Sequence, residues 1–249
     1  MTWGFFSVLH ILTILLAAGI ITTLYFVLRN KSAKTQIITL LICTTICIWN
    51  VISDFVYSDS ILTSVPFHLC GLNAVILPFA IATRNKTLNN LLLLWSLGAL
   101  AAIVVNTAQA DYIVPSARWI RYYFSHVFEF GIPILMFGLG LVKKDYKCIL
   151  STMSITLVAY TLVHMYNYLV TTYTEFSTNY MYSMRPENPI FDLFYKWVPH
   201  PYWYLMFVIP IALIYLNIIY SKQIFNAIKM HRLKHRYVAN NFRAKENTT

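Results

Sequence analysis

Residues 3–28 read WGFFSVLHILTILLAAGIITTLYFVL, a run without an acidic or basic residue that ends at Arg29. A helix needs roughly 20 apolar residues to cross about 30 Å of hydrocarbon, and this run supplies them. No basic residue precedes it, and it is longer than the core of a secretory signal, so it is expected to stay as a membrane helix. The same texture recurs along all 249 residues, which are 58% hydrophobic and only 11% charged. A soluble domain carries about 25% charged residues. This chain has too little charge to cover a globule, and the expected class is an all-α, polytopic membrane protein.

Seven such runs can be marked, at roughly 3–28, 36–57, 66–83, 88–106, 118–142, 147–172 and 199–221. Basic loops stay on the cytoplasmic side of a membrane. Alternate connections hold Arg29, Lys31 and Lys34, then Arg84 and Lys86, then Lys143, Lys144 and Lys147, and the tail after Tyr220 holds seven more basic residues. The other side holds only Arg118, Arg121, Arg185 and Lys196. The expectation is an amino terminus outside and a carboxyl terminus in the cytoplasm, with a multi-pass domain over 1–222 and a basic tail over 223–249. This bias accounts for the net charge of +10 without a nucleic-acid partner. The tail is expected to rest on anionic lipid. The four cysteines show neither metal-finger spacing nor a disulfide framework, and no cofactor motif is present.

The connection at about 173–198, on the outer side, is long and rich in tyrosine, phenylalanine and tryptophan. Aromatic rings favour the headgroup level, and the segment, with Asn179, Tyr180 and Tyr182, is expected to be a lid or interfacial cap.

Polar groups inside membrane helices are costly and point to function. With the orientation above, Asn50 and Asp54 lie near the outer end of run two, and His68, Cys70 and Asn73 in the outer half of run three. His126 and Glu129 occupy the outer half of run five, and His164 and Asn167 that of run six. Residues three or four apart share a helix face, so these pairs can point inward together. His68 lies about 200° round the helix from Cys70 and points elsewhere unless Pro66 and Gly71 distort the helix. Any one of these residues is accounted for by an ordinary helix–helix hydrogen bond. Their joint depth implies a polar cavity opening outward.

Three chemistries fit. In the first, Cys70 is a nucleophile and His126 its base, with Glu129 or Asn167 orienting the ring and Asn73 donating to an oxyanion. A membrane phospholipid would be the natural acyl donor. In the second, His68, Cys70, His126, Glu129 and His164 offer zinc ligands for a metal-dependent enzyme, without a local motif. In the third, Asp54, Glu129 and the histidines line a transport path, with helices broken at Pro66, Pro78, Pro133 or Pro210.

The segments PFHLCGLN (66–73), RYYFSHVFEFGIPIL (121–135) and HMYNYLVTTYTEFSTNYMYSMRPENPIFDLF (164–194), running on to PHPYWYL (199–205), resemble the YwaF family of bacterial integral membrane proteins. That family is distantly similar to a eukaryotic transmembrane acyltransferase that remodels polyunsaturated ether phospholipids through a cysteine acyl intermediate. It also resembles membrane hydrolases of lipid esters that pair a nucleophile with a histidine. The resemblance implies a lipid acyltransferase or lipid-ester hydrolase in a bacterial plasma membrane, with Cys70 as nucleophile and His126 as its partner.

Overall fold

The computed structural model describes residues 1–105 and 109–246, without the side chains of residues 231 and 233–246. The expected end of the fourth run at residue 106, and the tail side chains Lys234, Arg236, Arg243 and Lys245, lie outside the described residues. Helices α1 (Val8–Leu28), α2 (Ala33–Val56), α3 (Ile61–Ser64), α4 (Leu69–Thr83) and α5 (Lys86–Val104) come first. They are followed by α6 (Ala117–Gly138), α7 (Cys148–Tyr173), α8 (Pro189–Trp197) and α9 (Val208–Glu246). Apart from one isolated β-bridge between Thr2 and Ile113, the regular structure among the described residues is helical.

A helix forms in each of the seven apolar runs. Five helical stretches are long and apolar enough to cross a membrane: α1, α2, α5, α7 and Trp203–Met230. Helix α4 is shorter, and α6 carries Arg118, Arg121 and Glu129. Helix α9 continues unbroken through the expected boundary at 222 and 223.

Several starts follow from local chemistry. A helix leaves its first amides without intrahelical partners, and short polar side chains satisfy them. Ser7, Ser32, Asn85 and Ser116 each accept a backbone N–H from three residues ahead, at 3.0–3.2 Å. Helix α4 is different: its flanking residue is His68, which makes no side-chain cap.

Packing separates lipid-facing from protein-facing helices. Residues Asn89–Ser96 of α5 are all buried, so this helix is covered on every side. It packs against α4, α6, α7 and α9. Helix α6 is buried along a stripe of Trp119, Tyr123, His126, Glu129, Pro133 and Met136, and packs on α1, α2, α4 and α5. The first helix approaches it closely at Gly131, where an added Cβ would lie 2.6 Å from an Ile21 carbon. By contrast Leu12, Leu15, Ile42, Trp49, Leu157, Leu162, Ile214 and Ile218 are exposed along the outer helices. Contiguous apolar surface on this scale is foreign to a soluble protein and suits lipid.

Candidate active site

Helices α4 and α6 bring one thiol, one imidazole and one carboxylate together. Cys70 Sγ, a His126 ring nitrogen and a Glu129 carboxylate oxygen all lie within 4.8 Å of one another. His126 and Glu129 are buried, and Cys70 is half-buried. The spacing of His126 and Glu129 on α6 puts both on the face turned to α4, and the thiol comes from that helix's first turn.

The partners of each group are defined. The His126 Nδ1–H donates to the Tyr122 carbonyl at 2.7 Å, which leaves Nε2 with the lone pair. The Tyr122 ring lies 4.2 Å from the imidazole, centroid to centroid. The Ser125 hydroxyl donates to Glu129 Oε1 at 2.6 Å, whereas Glu129 Oε2 is buried with no hydrogen-bond partner. On the thiol's other side, a Cβ added to Gly98 of α5 would stand 3.8 Å from Cys70 Sγ. Sulfur, nitrogen and oxygen donors so close are also three potential ligands of a zinc ion, which usually takes four.

One N–H of Asn73, the residue expected to donate to an oxyanion, is committed within the protein. Its Nδ2 donates to the backbone carbonyl of Glu129 at 3.2 Å. In a regular helix that carbonyl would accept the N–H four residues on, but residue 133 is proline and has none. Asn73 therefore satisfies, from α4, a carbonyl that Pro133 has orphaned on α6. Neighbouring helices rescue such groups in membranes.

The remaining expected residues lie elsewhere. Asn167 does not orient His126. It donates to the Tyr180 carbonyl and to Ser183 Oγ, each at 2.8 Å, and accepts the Tyr180 N–H at 3.1 Å. His164 Nδ1 lies 3.1 Å from the same Ser183 hydroxyl. Both residues tie α7 to the connection at 173–198 rather than to the thiol. Asn50 is half-buried and Asp54 exposed at the end of α2, and neither is one of the three converging groups. His10 is also separate: its Nδ1 accepts the Phe6 N–H and its Nε2 donates to the Ile103 carbonyl.

The long connection is held by hydrogen bonds of its own and to α7. Asn179 Oδ1 accepts the N–H groups of Met184 and Arg185, at 3.0 and 3.2 Å. The turn Tyr180–Tyr182 follows, with Met181 and Tyr182 at positive φ, a conformation rare for residues with side chains. The Tyr204 hydroxyl donates to the Tyr182 carbonyl, and the Tyr202 N–H to the Ser183 carbonyl at 2.7 Å. His68 ties this turn to the start of α4. Its Nδ1 accepts the Met181 N–H at 3.4 Å, and its ring packs on Tyr180 and Tyr182.

Reading the sequence missed Ser125, Tyr122 and Gly98. Ser125 was within reach, since it lies four residues before Glu129 on the same face. The proximity of Gly98 to the thiol carried no local signal.

No curated protein and no solved structure matches the chain. The model of the TMEM164 family matches residues 5–220, which takes in nearly all of the seven apolar runs and the connection at 173–198 and stops before the basic tail. That match covers most of the chain, which thus belongs to the TMEM164 family of membrane proteins.

Proposed function

We propose that this protein transfers or hydrolyses the acyl group of a membrane phospholipid through Cys70. The observation that carries the reading is the meeting of a thiol, an imidazole and a carboxylate from two helices within 4.8 Å. His126 accepts the thiol proton, because Nδ1–H is engaged by the Tyr122 carbonyl and Nε2 is the free base. Cys70 Sγ attacks the ester carbonyl carbon. The C–S bond forms, the C–O bond to the glycerol backbone breaks, and the leaving alkoxide takes the proton from His126. A hydroxyl acceptor or water then attacks the thioester, and the thiol is restored. Glu129, held by Ser125, sets the electrostatics beside the imidazole.

The setting of this chemistry is part of the proposal. Seven crossings with the amino terminus outside put the thiol in the outer leaflet's half of the bundle, beneath the turn that carries Tyr180 and Tyr182. The basic tail would lie on anionic lipid. The resemblance to the bacterial YwaF family supports a bacterial plasma membrane as the setting. Helices α4 and α6 run on through Pro78 and Pro133, so two of the breaks a transport path would use are missing.

The test is to incubate purified protein with phospholipid and measure intact mass. An acyl adduct that hydroxylamine removes is expected on the wild type and absent from Cys70→Ala. An unmodified wild type, or an adduct that persists in Cys70→Ala, excludes the thiol mechanism. The three convergent donors also favour a second reading, a zinc-dependent hydrolase. Stoichiometric zinc in the purified protein, lost on His126→Ala, would select it.

A further inference from the structure

Helix α6 carries two arginines where its own physics disfavours them. Arg118 and Arg121 lie in its first two turns, and its first turn holds no acidic residue. The peptide dipoles make that end of a helix positive, so it favours anions and opposes cations. Neither arginine is neutralised inside the protein. The salt bridges among the described residues belong to Lys86 and Arg185. Asp54, near the end of α2, is close enough to feel both charges but stays outside ion-pair distance.

The contacts the two side chains do make leave their donors open. Arg118 Cζ lies 4.5 Å from the centroid of the Tyr112 ring, and Arg121 Cζ 5.9 Å from that of Tyr57. An aromatic face attracts a guanidinium through its π-electrons and does not consume the fork of N–H groups at the cation's edge. Burial sharpens the case at Arg121, whose Nε is buried with no hydrogen-bond partner. A donor of this kind costs free energy until an acceptor arrives, and the acceptors that match a guanidinium fork are the oxygens of a phosphate or a carboxylate. Position favours the phosphate. Arg121, Ser125 and Glu129 follow one another in steps of four and share a face of α6. Arg121 stands five residues before His126, about 7.5 Å along the axis at about 1.5 Å per residue. A glycerophospholipid sets its phosphate a few covalent bonds from its nearer ester, a reach of the same order.

We infer that Arg121, assisted by Arg118, binds the phosphate of the phospholipid whose ester meets Cys70. The inference rests on the thiol reading for the ester and adds a headgroup subsite to it. A phosphate held in the fork fixes the lipid's depth, because the headgroup cannot slide along α6 without losing its donors. The subsite selects glycerophospholipids over neutral esters that carry the same acyl chains.

The experiment titrates the purified full chain, in neutral detergent, with dihexanoylphosphatidylcholine and separately with dihexanoylglycerol, which has the same esters and no phosphate. Binding is read by thermophoresis on Cys70→Ala protein, so that no turnover intervenes. The phospholipid should bind more tightly than the glyceride. Adding Arg121→Met should weaken the phospholipid about tenfold, the scale of one hydrogen bond to a charged group, and leave the glyceride unchanged. Arg121→Lys keeps the charge without the fork and should fall between the two, and it carries the comparison if the methionine variant does not fold. Loss of affinity for both lipids together, or for neither, would overturn the inference. So would inorganic phosphate binding as tightly as the phospholipid, since the ligand would then be a free anion and not a headgroup. The thiol reading is separable. A wild type that forms no acyl adduct, while the phosphate discrimination persists, would remove Cys70 as nucleophile and leave the arginine subsite standing.

Discussion

Asn73 and Asn167 carry the same side chain and are both fully buried, yet they end in opposite states. Asn167 is saturated: both ends of its amide bond the Tyr180 backbone and Ser183. Asn73 makes one longer bond, to the Glu129 carbonyl, and its own oxygen is empty. The first pattern is what holds an outer turn onto a helix. The second belongs to a region where polar groups are held in place but kept incompletely paired, next to a thiol. Buried polar groups without partners are rare in proteins because they are expensive, and Asn73 Oδ1 and Glu129 Oε2 are two of them, on the two helices that carry Cys70 and His126.

The comparison can be broken most easily at Asn167. Asn167→Ala leaves the N–H and carbonyl of Tyr180 without their partner, at about 1–3 kcal/mol for each unsatisfied group. A loss of about 2–4 kcal/mol is expected from thermal or denaturant unfolding in detergent. An unchanged melting temperature would mean that the outer turn is not held by this side chain.

Asn73→Ala orphans a single carbonyl and should cost about 1–2 kcal/mol. Its cause can be checked separately. Pro133→Ala restores an N–H to serve the Glu129 carbonyl, so the asparagine becomes dispensable in the double variant. The cost of Asn73→Ala should then fall to near zero in a Pro133→Ala background, a coupling read from a double-mutant cycle. Additive costs would show that the proline and the asparagine are unrelated.

Glu129→Gln sharpens the contrast between stability and chemistry. The change keeps the shape of the side chain and an acceptor for Ser125, so stability should move by less than about 1 kcal/mol. Cys70 acylation should nevertheless slow by at least about tenfold. Full acylation in this variant would make the carboxylate a bystander.

The smallest effect is expected far from both asparagines, in the connection between α6 and α7. Asp145 pairs with Lys86 and its Oδ1 accepts the Lys147 N–H at 3.0 Å, and the Lys86 bond holds its carboxyl below the ordinary range. A depressed carboxyl contributes stability that is present above its unfolded value and lost as pH falls through the folded one. The difference in melting temperature between wild type and Asp145→Asn should thus be small at neutral pH. It should shrink as the pH drops below the ordinary carboxylate value of about 4. A difference that grows on acidification would reverse the assigned role.

The helices were legible because hydrocarbon imposes a length and a composition that no tertiary contact can waive. Their ends were less so. The first run was expected from residue 3, but α1 begins at Val8, because Trp3 and Gly4 donate instead to the carbonyls of Tyr112 and Ala110. In the last run a short turn at Trp203–Phe207 precedes α9. The convergence of Cys70, His126 and Glu129 was expected from depth and helix spacing. The separation of Asn167 and His164 from them was not. Residues at one depth share a layer, but depth does not say which faces look at each other, and those of α7 bond the outer turn.

By itself the sequence determined that the chain is helical and membrane-bound, and which polar residues share each helix face. Those follow from hydrophobicity and from a period of 3.6 residues, both local properties. Only the tertiary structure decided that Asn73 repairs the gap left by Pro133, that Asn167 latches a turn, and that His68 leaves α4 uncapped beside Cys70. Each depends on which atoms from distant parts of the chain come within hydrogen-bond reach, and a short-range, directional interaction is settled by packing rather than by pattern.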